Sequence, residues 1–148
     1  MARPVRNALL VMAIISLLIP GSSLFAAKPL PAVGEIAIEL KGVGALVGVS
    51  WGTGLLYFKG KKYPIRVEGL AVGDIGFAKI SARGKVYNLK RYLDITGTYA
   101  AAGAGVALAG GAAGLTMKNE RGVVIDLTAT QAGVKLNLGP QGLTIRMR

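Results

Sequence analysis

The stretch Glu35-Ile-Ala-Ile-Glu-Leu-Lys41 alternates polar and apolar side chains, placing Ile36, Ile38 and Leu40 on one side of an extended chain. A period of two is that of a half-buried strand. The same period returns in Tyr63, Ile65 and Val67, in Val134, Leu136 and Leu138, and in Leu143, Ile145 and Met147. Between such runs lie turn-forming residues. Thr53–Lys59 and Lys62–Glu68 flank Gly60-Lys61, Leu115–Lys118 and Val123–Thr130 flank Asn119–Gly122, and the last two runs flank Gly139-Pro140-Gln141-Gly142. Each arrangement predicts a hairpin. Strands recurring every eight to twelve residues predict an all-β fold, a small antiparallel barrel or closed sandwich of roughly 8–11 short strands.

Two stretches interrupt this pattern. Lys90–Asp94 has room for one helical turn, and Lys28–Gly34, with two prolines, reads as an extended leader. Trp51, between Ser50 and Gly52-Thr-Gly54, is expected as a core plug. The uncharged stretch Gly97–Met117 contains Gly105, Gly110, Gly111 and Gly114. Two readings compete there, a small-residue membrane segment and a pair of packed strands around Gly110-Gly111; the strand-rich flanks favour the second.

Upstream of the strands, Arg3 and Arg6 precede the uncharged run Ala8–Ile19, then Pro20, Gly21, Ser22 and Ser23. This is the layout of a secretory signal peptide, and a run of about 12 apolar residues falls short of the roughly 20 that span a bilayer as a helix. The predicted organisation is a signal peptide at 1–26, a leader at 27–34 and one barrel domain at 35–148, with export to the periplasm or outer membrane. Within 148 residues there are 18 Lys and Arg, 7 Asp and Glu, 22 Gly, and neither His nor Cys. Removing residues 1–26 takes away Arg3 and Arg6 and no acid, so the processed chain keeps 16 basic and 7 acidic residues, a charge of +9.

The absence of His and Cys removes zinc fingers, thiol and imidazole triads and disulfide frameworks. The acids, Glu35, Glu39, Glu68, Asp74, Asp94, Glu120 and Asp126, are not marked as catalytic pairs and read as solvated groups. Gly54-x5-Gly60-Lys61-Lys62 is one residue too long for a phosphate-binding P-loop and lacks the following Ser or Thr. The chain is therefore read as non-enzymatic, with no catalytic residue, cofactor or metal. Lys59, Lys61 and Lys62 cluster at a hairpin tip beside Tyr57 and Tyr63, with Arg66 further along. Cations and interfacial tyrosines in that combination suit an anionic lipid or another anionic envelope polymer. Nucleic acid is not expected of an exported protein, and homo-oligomerisation stays open. The alternatives are an integral outer-membrane component using the Ala/Gly-rich stretch and, further off, a secreted hydrolase.

Trp51-Gly52-Thr53-Gly54-Leu55-Leu56-Tyr57-Phe58-Lys59-Gly60-Lys61-Lys62-Tyr63-Pro64 resembles a pattern of small exported proteobacterial proteins of uncharacterised function. More distantly, Val86-Tyr-Asn-Leu89, Gly97-Thr-Tyr99, Gly110-Gly111 and the run from Gly133 to Leu143 resemble the envelope-integrity β-barrel family of alphaproteobacteria and the SYLF lipid-binding domain. The resemblance implies a barrel and, through the SYLF domain, binding of phosphoinositide or other anionic lipid. The basic amphipathic helix that precedes the SYLF barrel is replaced here by the short leader Lys28–Gly34.

Overall fold

A computed structural model describes residues 28–41, 50–72, 79–102, 106–139 and 141–148. The predicted signal peptide lies outside the described residues. The strands are β1 (Ala32–Lys41), β2 (Ser50–Phe58), β3 (Lys61–Val72), β4 (Lys79–Tyr87), β5 (Gly97–Ala101), β6 (Leu115–Asn119), β7 (Val124–Ala129), β8 (Leu136–Leu138) and β9 (Leu143–Met147). Walking sideways, β1 pairs with β2, β2 with β3, β3 with β8 and β9, β9 with β5, and then β6, β7 and β4 follow until β4 pairs back with β1. Every one of these pairings is antiparallel. The sheet is thus a closed antiparallel barrel of eight strand positions, β8 and β9 sharing one.

The alternation decides which side chains fill it. Ile36, Ile38 and Leu40 of β1, Leu56 and Phe58 of β2, Ile65 and Val67 of β3, Ile80 and Val86 of β4, and Ile125 and Leu127 of β7 belong to one buried cluster. Their neighbours Glu35, Glu39, Arg66, Arg83 and Lys85 face water. Burial of branched aliphatics, at ~1.5–3 kcal/mol per side chain, is the main driving force for closure.

The chain order is not a simple meander. β4 returns to pair with β1, so the β4–β5 connection must cross one barrel mouth to start the next strand. It does so as a plug. Residues 88–96 include a 3-10 turn, Tyr92–Ile95, and Leu89 and Ile95 are buried in the barrel core. The helical turn expected at Lys90–Asp94 therefore exists, displaced toward the chain's C-terminus.

The predicted turn Gly60-Lys61 is shifted by one residue. Phe58 pairs with Lys61, leaving Lys59 (φ 48°) and Gly60 (φ 75°) as the two loop residues. Two consecutive positive φ values match the right-handed twist of a tight hairpin.

Two other expectations are corrected. Val134–Leu138 and Leu143–Met147 do not pair with each other. Both run antiparallel along β3, where Leu70 to Val72 face Leu138 to Leu136 and Ile65 to Glu68 face Met147 to Thr144. The Gly139–Gly142 turn, closed by Gly142 N–H donating to the Gly139 carbonyl at 2.9 Å, is an insertion between two collinear strand pieces. Gly69 opposes it, and its N-terminal partner is fixed by the Gly139 N–H to Gly69 carbonyl bond at 2.7 Å. The period of two and a turn signature cannot distinguish a reversal from such an excursion.

Gly110-Gly111 is likewise not the hairpin turn between β5 and β6. These strands pair through Tyr99–Ala101 and Met117–Asn119, but residues 106–114 of their connection fold back over the barrel's outer face. There Leu108 packs with Tyr87 and Val124, against Leu30 and Val106, and Leu30 bridges Leu108. The leader is shorter than expected, since Ala32–Gly34 already belong to β1.

Asp126 holds this flap in place. Its carboxylate accepts bonds from the N–H groups of Ala113 (2.8 Å) and Gly114 (3.0 Å) and from Thr116 Oγ1 (3.2 Å). Asp126 is buried, contrary to the solvated role expected of it. Its outward position on β7 is correct for a solvated acid, but the flap covers it.

Candidate functional site: the plugged end of the barrel

Because neighbouring strands are antiparallel, β2, β4 and β6 finish where β3, β5 and β7 begin. The Lys59-Gly60 turn, the plug at 88–96 and the Asn119–Gly122 turn consequently share one end. Plug and hairpin touch directly, Tyr63 stacking on Tyr92 with ring centroids 4.3 Å apart and planes within 6°. Tyr92 and Leu93 point outward from this end, Leu93 half exposed at 50%. Around them stand Lys59 and Lys61 from the hairpin, Lys90 and Arg91 from the plug, and Arg121 from the next turn, all exposed. Arg91 forms a 3.2 Å ion pair with Asp94.

The plug is anchored from beneath by Asn119. Its Nδ2 donates to the Asp94 carbonyl at 2.8 Å and to Tyr99 Oη at 3.2 Å, while its Oδ1 accepts the N–H groups of Arg121 and Val123, each at 3.0 Å. Tyr99 Oη in turn donates to the Ile95 carbonyl at 2.6 Å. Arg121 Nη1 reaches the Leu93 carbonyl (3.1 Å) and Thr96 Oγ1 (3.0 Å). Exposed Tyr92 and Leu93 are thus carried on a rigid platform rather than a free loop.

Burial pushes the Tyr99 phenol well above its usual range, the Asn119 hydrogen bond and the Arg121 charge opposing only in part. Because the folded value exceeds the unfolded 10.0, the folded state holds the proton that the unfolded state loses. The associated stability is complete below pH about 10 and falls by about 1.4 kcal/mol per pH unit above it, until the folded phenol itself ionises. Denaturant titrations across this alkaline range should show at least that slope in the native chain and a shallower one in Tyr99→Phe, the remainder coming from Tyr87. Tyr87 is also shifted upward, by burial and then by the negative charge of Asp126.

The structure divides the residues singled out in the sequence. Lys59, Lys61 and Tyr63 meet at the plugged end. Tyr57 and Lys62 are cross-strand partners on the outer flank, with Lys62 Nζ 5.7 Å from the Tyr57 ring centroid. Arg66 lies further along that flank, opposite Arg146. No protein-family model, curated protein or solved structure matches the chain.

Sequence reading missed Tyr92, Leu93, Lys90 and Arg91 as members of the same site, because the plug is brought to the hairpin only by the β4–β5 crossover. The Lys90-Arg91 pair beside an aromatic was the available signal. Trp51 is corrected as well. It is 60% exposed on the outside of β2, since Gly52, Leu56 and Phe58 take the inward parity. Among the described residues, no group of three or more Asp or Glu is arranged to hold a metal ion, and no helix is long and apolar enough to cross a membrane.

Proposed function

We propose that this chain is a non-enzymatic cell-envelope protein, exported by a cleaved signal peptide, whose plugged barrel end docks on anionic lipid. The observation that carries this reading is the pairing of outward Tyr92 and Leu93 with the surrounding Lys59, Lys61, Lys90 and Arg91. Apolar tips enter the headgroup boundary, and each nearby cation adds about 1 kcal/mol of attraction to an anionic surface. The resemblance to a lipid-binding barrel points the same way.

Peripheral docking is favoured over an integral barrel by the outer face. A membrane-spanning barrel presents an apolar band outward and a polar lumen. Here Glu35, Glu39, Arg66, Arg83 and Lys85 face outward while aliphatic side chains fill the interior.

Flotation of residues 27–148 with vesicles of phosphatidylglycerol and phosphatidylcholine tests the proposal. Binding should require the anionic lipid and weaken as salt shortens the screening length from about 10 Å at 0.1 M to about 3 Å at 1 M. Replacing Lys59, Lys61 and Lys90 with Gln should reduce affinity by about two orders of magnitude at low salt. Equal binding to both vesicle types, or an unaffected triple variant, would sink the docking reading; retention by an anionic glycan but not by vesicles would transfer it to an envelope polymer.

A further inference from the structure

The barrel register places outward side chains from five adjacent strand positions in transverse rows. One row runs from Arg148, whose N–H donates to the Pro64 carbonyl, through Pro64, Leu55 and Ala37 to Arg83. Small and apolar side chains in the middle of this row leave a groove of about 430 Å³, lined by all five residues. The next row puts Arg146 directly opposite Arg66, with Thr53 beyond it.

Two arginines facing each other across a strand pair repel, and this arrangement is unfavourable without an anion between them. Among the described residues the ion pairs are Lys79–Glu39 and Arg91–Asp94, so no carboxylate stands within ion-pair distance of Arg66, Arg146 or Arg148, and the nearest acid in the register is Glu68, two residues along β3 from Arg66 and diagonal to Arg146. The opposite end of the groove differs. Arg83 has Glu39 and Ser81 beside it in the same groove lining. At the other end three arginines stand against Glu68, Arg148 lining the groove and Arg66 and Arg146 in the adjoining row, so the excess charge there is positive, and the floor leading away from Arg148 is apolar.

We infer that this flank groove binds one phospholipid molecule, with its phosphate held by Arg148, Arg146 and Arg66 and its glycerol and first acyl carbons lying on Pro64, Leu55 and Ala37. Guanidinium groups suit this task, since their planar donors pair bidentately with phosphate oxygens. The groove's size falls within the range of small-molecule sites. This inference takes its ligand class from the proposed docking function but uses different residues, so the two are separable by experiment.

The probe is dihexanoyl phosphatidylglycerol below its micelle-forming concentration, titrated calorimetrically, with inorganic phosphate and dihexanoyl phosphatidylcholine in parallel. A single saturable site is expected for the anionic lipid. Each of Arg148→Ala and Arg146→Ala should weaken it about tenfold, the loss of a hydrogen bond to a charged group. Leu55→Glu, which sets a carboxylate on the apolar floor, should weaken it at least as much. Thermal unfolding of each variant shows that the barrel persists; if Leu55→Glu fails to fold, Leu55→Ser replaces it with a smaller expected loss.

Lysines 59, 61 and 90 are not in the groove, so their triple variant should bind the short lipid normally while losing vesicle flotation. The arginine variants should do the reverse. Inorganic phosphate binding as tightly as the lipid would reduce the site to an ion site and overturn the inference. So would the absence of saturable lipid binding, or titrations unchanged by the arginine substitutions.

Discussion

Asn119→Ala should destabilise the barrel by about 3–5 kcal/mol, a loss at the upper end of single-substitution effects, because several buried polar groups lose a partner together. Asn119 is 5% exposed, and its side chain answers the Asp94 carbonyl, Tyr99 Oη and two N–H groups of its own turn. Alanine leaves the Val123 N–H buried without that acceptor and removes one of the plug's polar tethers, the bond to the Asp94 carbonyl. Asn119→Asp sharpens the comparison. It keeps the acceptor for Arg121 and Val123 but turns a second oxygen toward the Asp94 carbonyl, so it should recover only part of the loss. Urea unfolding of both variants measures this. A loss below about 1 kcal/mol for alanine, typical of an exposed polar side chain, would mean that Leu89 and Ile95 packing, with the Tyr99 and Arg121 bonds, holds the plug without Asn119. The tether also bears on function. If the plug loosens, Tyr92 leaves Tyr63 and the docking surface disperses before the barrel unfolds.

How far this arrangement can be read from sequence follows from the range over which each signal acts. Alternation in Glu35–Lys41 and Tyr63–Val67 identifies both the strands and their inward faces, since side-chain parity is a property of the strand itself. The hairpin at Lys59-Gly60 is equally local. What alternation does not carry is partnership. Val134–Leu138 and Leu143–Met147 show correct parity, yet both lie along β3 rather than along each other. Asp126 shows correct outward parity, yet a segment more than ten residues away in the chain covers it. Trp51 fails for the opposite reason, because glycines at 52 and 54 erase the apolar marker of the inward face. At the plugged end, Lys59, Lys61 and Tyr63 were legible as neighbours in one turn. Tyr92 and Leu93 joined them only through a crossover imposed by β4 pairing with β1. The arginine row is the extreme case, since Arg66, Arg146 and Arg148 become neighbours through a register that no local pattern encodes.

Gly54→Ala should be among the most damaging single-methyl additions in the chain, costing about 3–5 kcal/mol, since overpacking against backbone cannot be relieved by a rotamer change. A Cβ at this position would strike the Ala37 carbonyl oxygen and stand 3.2 Å from the Ile38 side chain. Gly52 is in the same relation to the Glu39 carbonyl, two residues along. Successive inward glycines therefore let β2 lie against the β1 backbone where any side chain would collide with it. Gly60→Ala separates this effect from ordinary turn strain. Gly60 has φ 75° and nothing within 4 Å of a Cβ, so its cost is conformational, about 1–2 kcal/mol. Thermal and urea unfolding should rank Gly54→Ala clearly below Gly60→Ala in stability. Equal losses would mean that β1 shifts away from β2 to admit the methyl group at no cost beyond ordinary strain. Ala37 and Leu55, on the outer side of this same strand pair, form the groove floor, so a shift of β1 away from β2 would also reshape the groove.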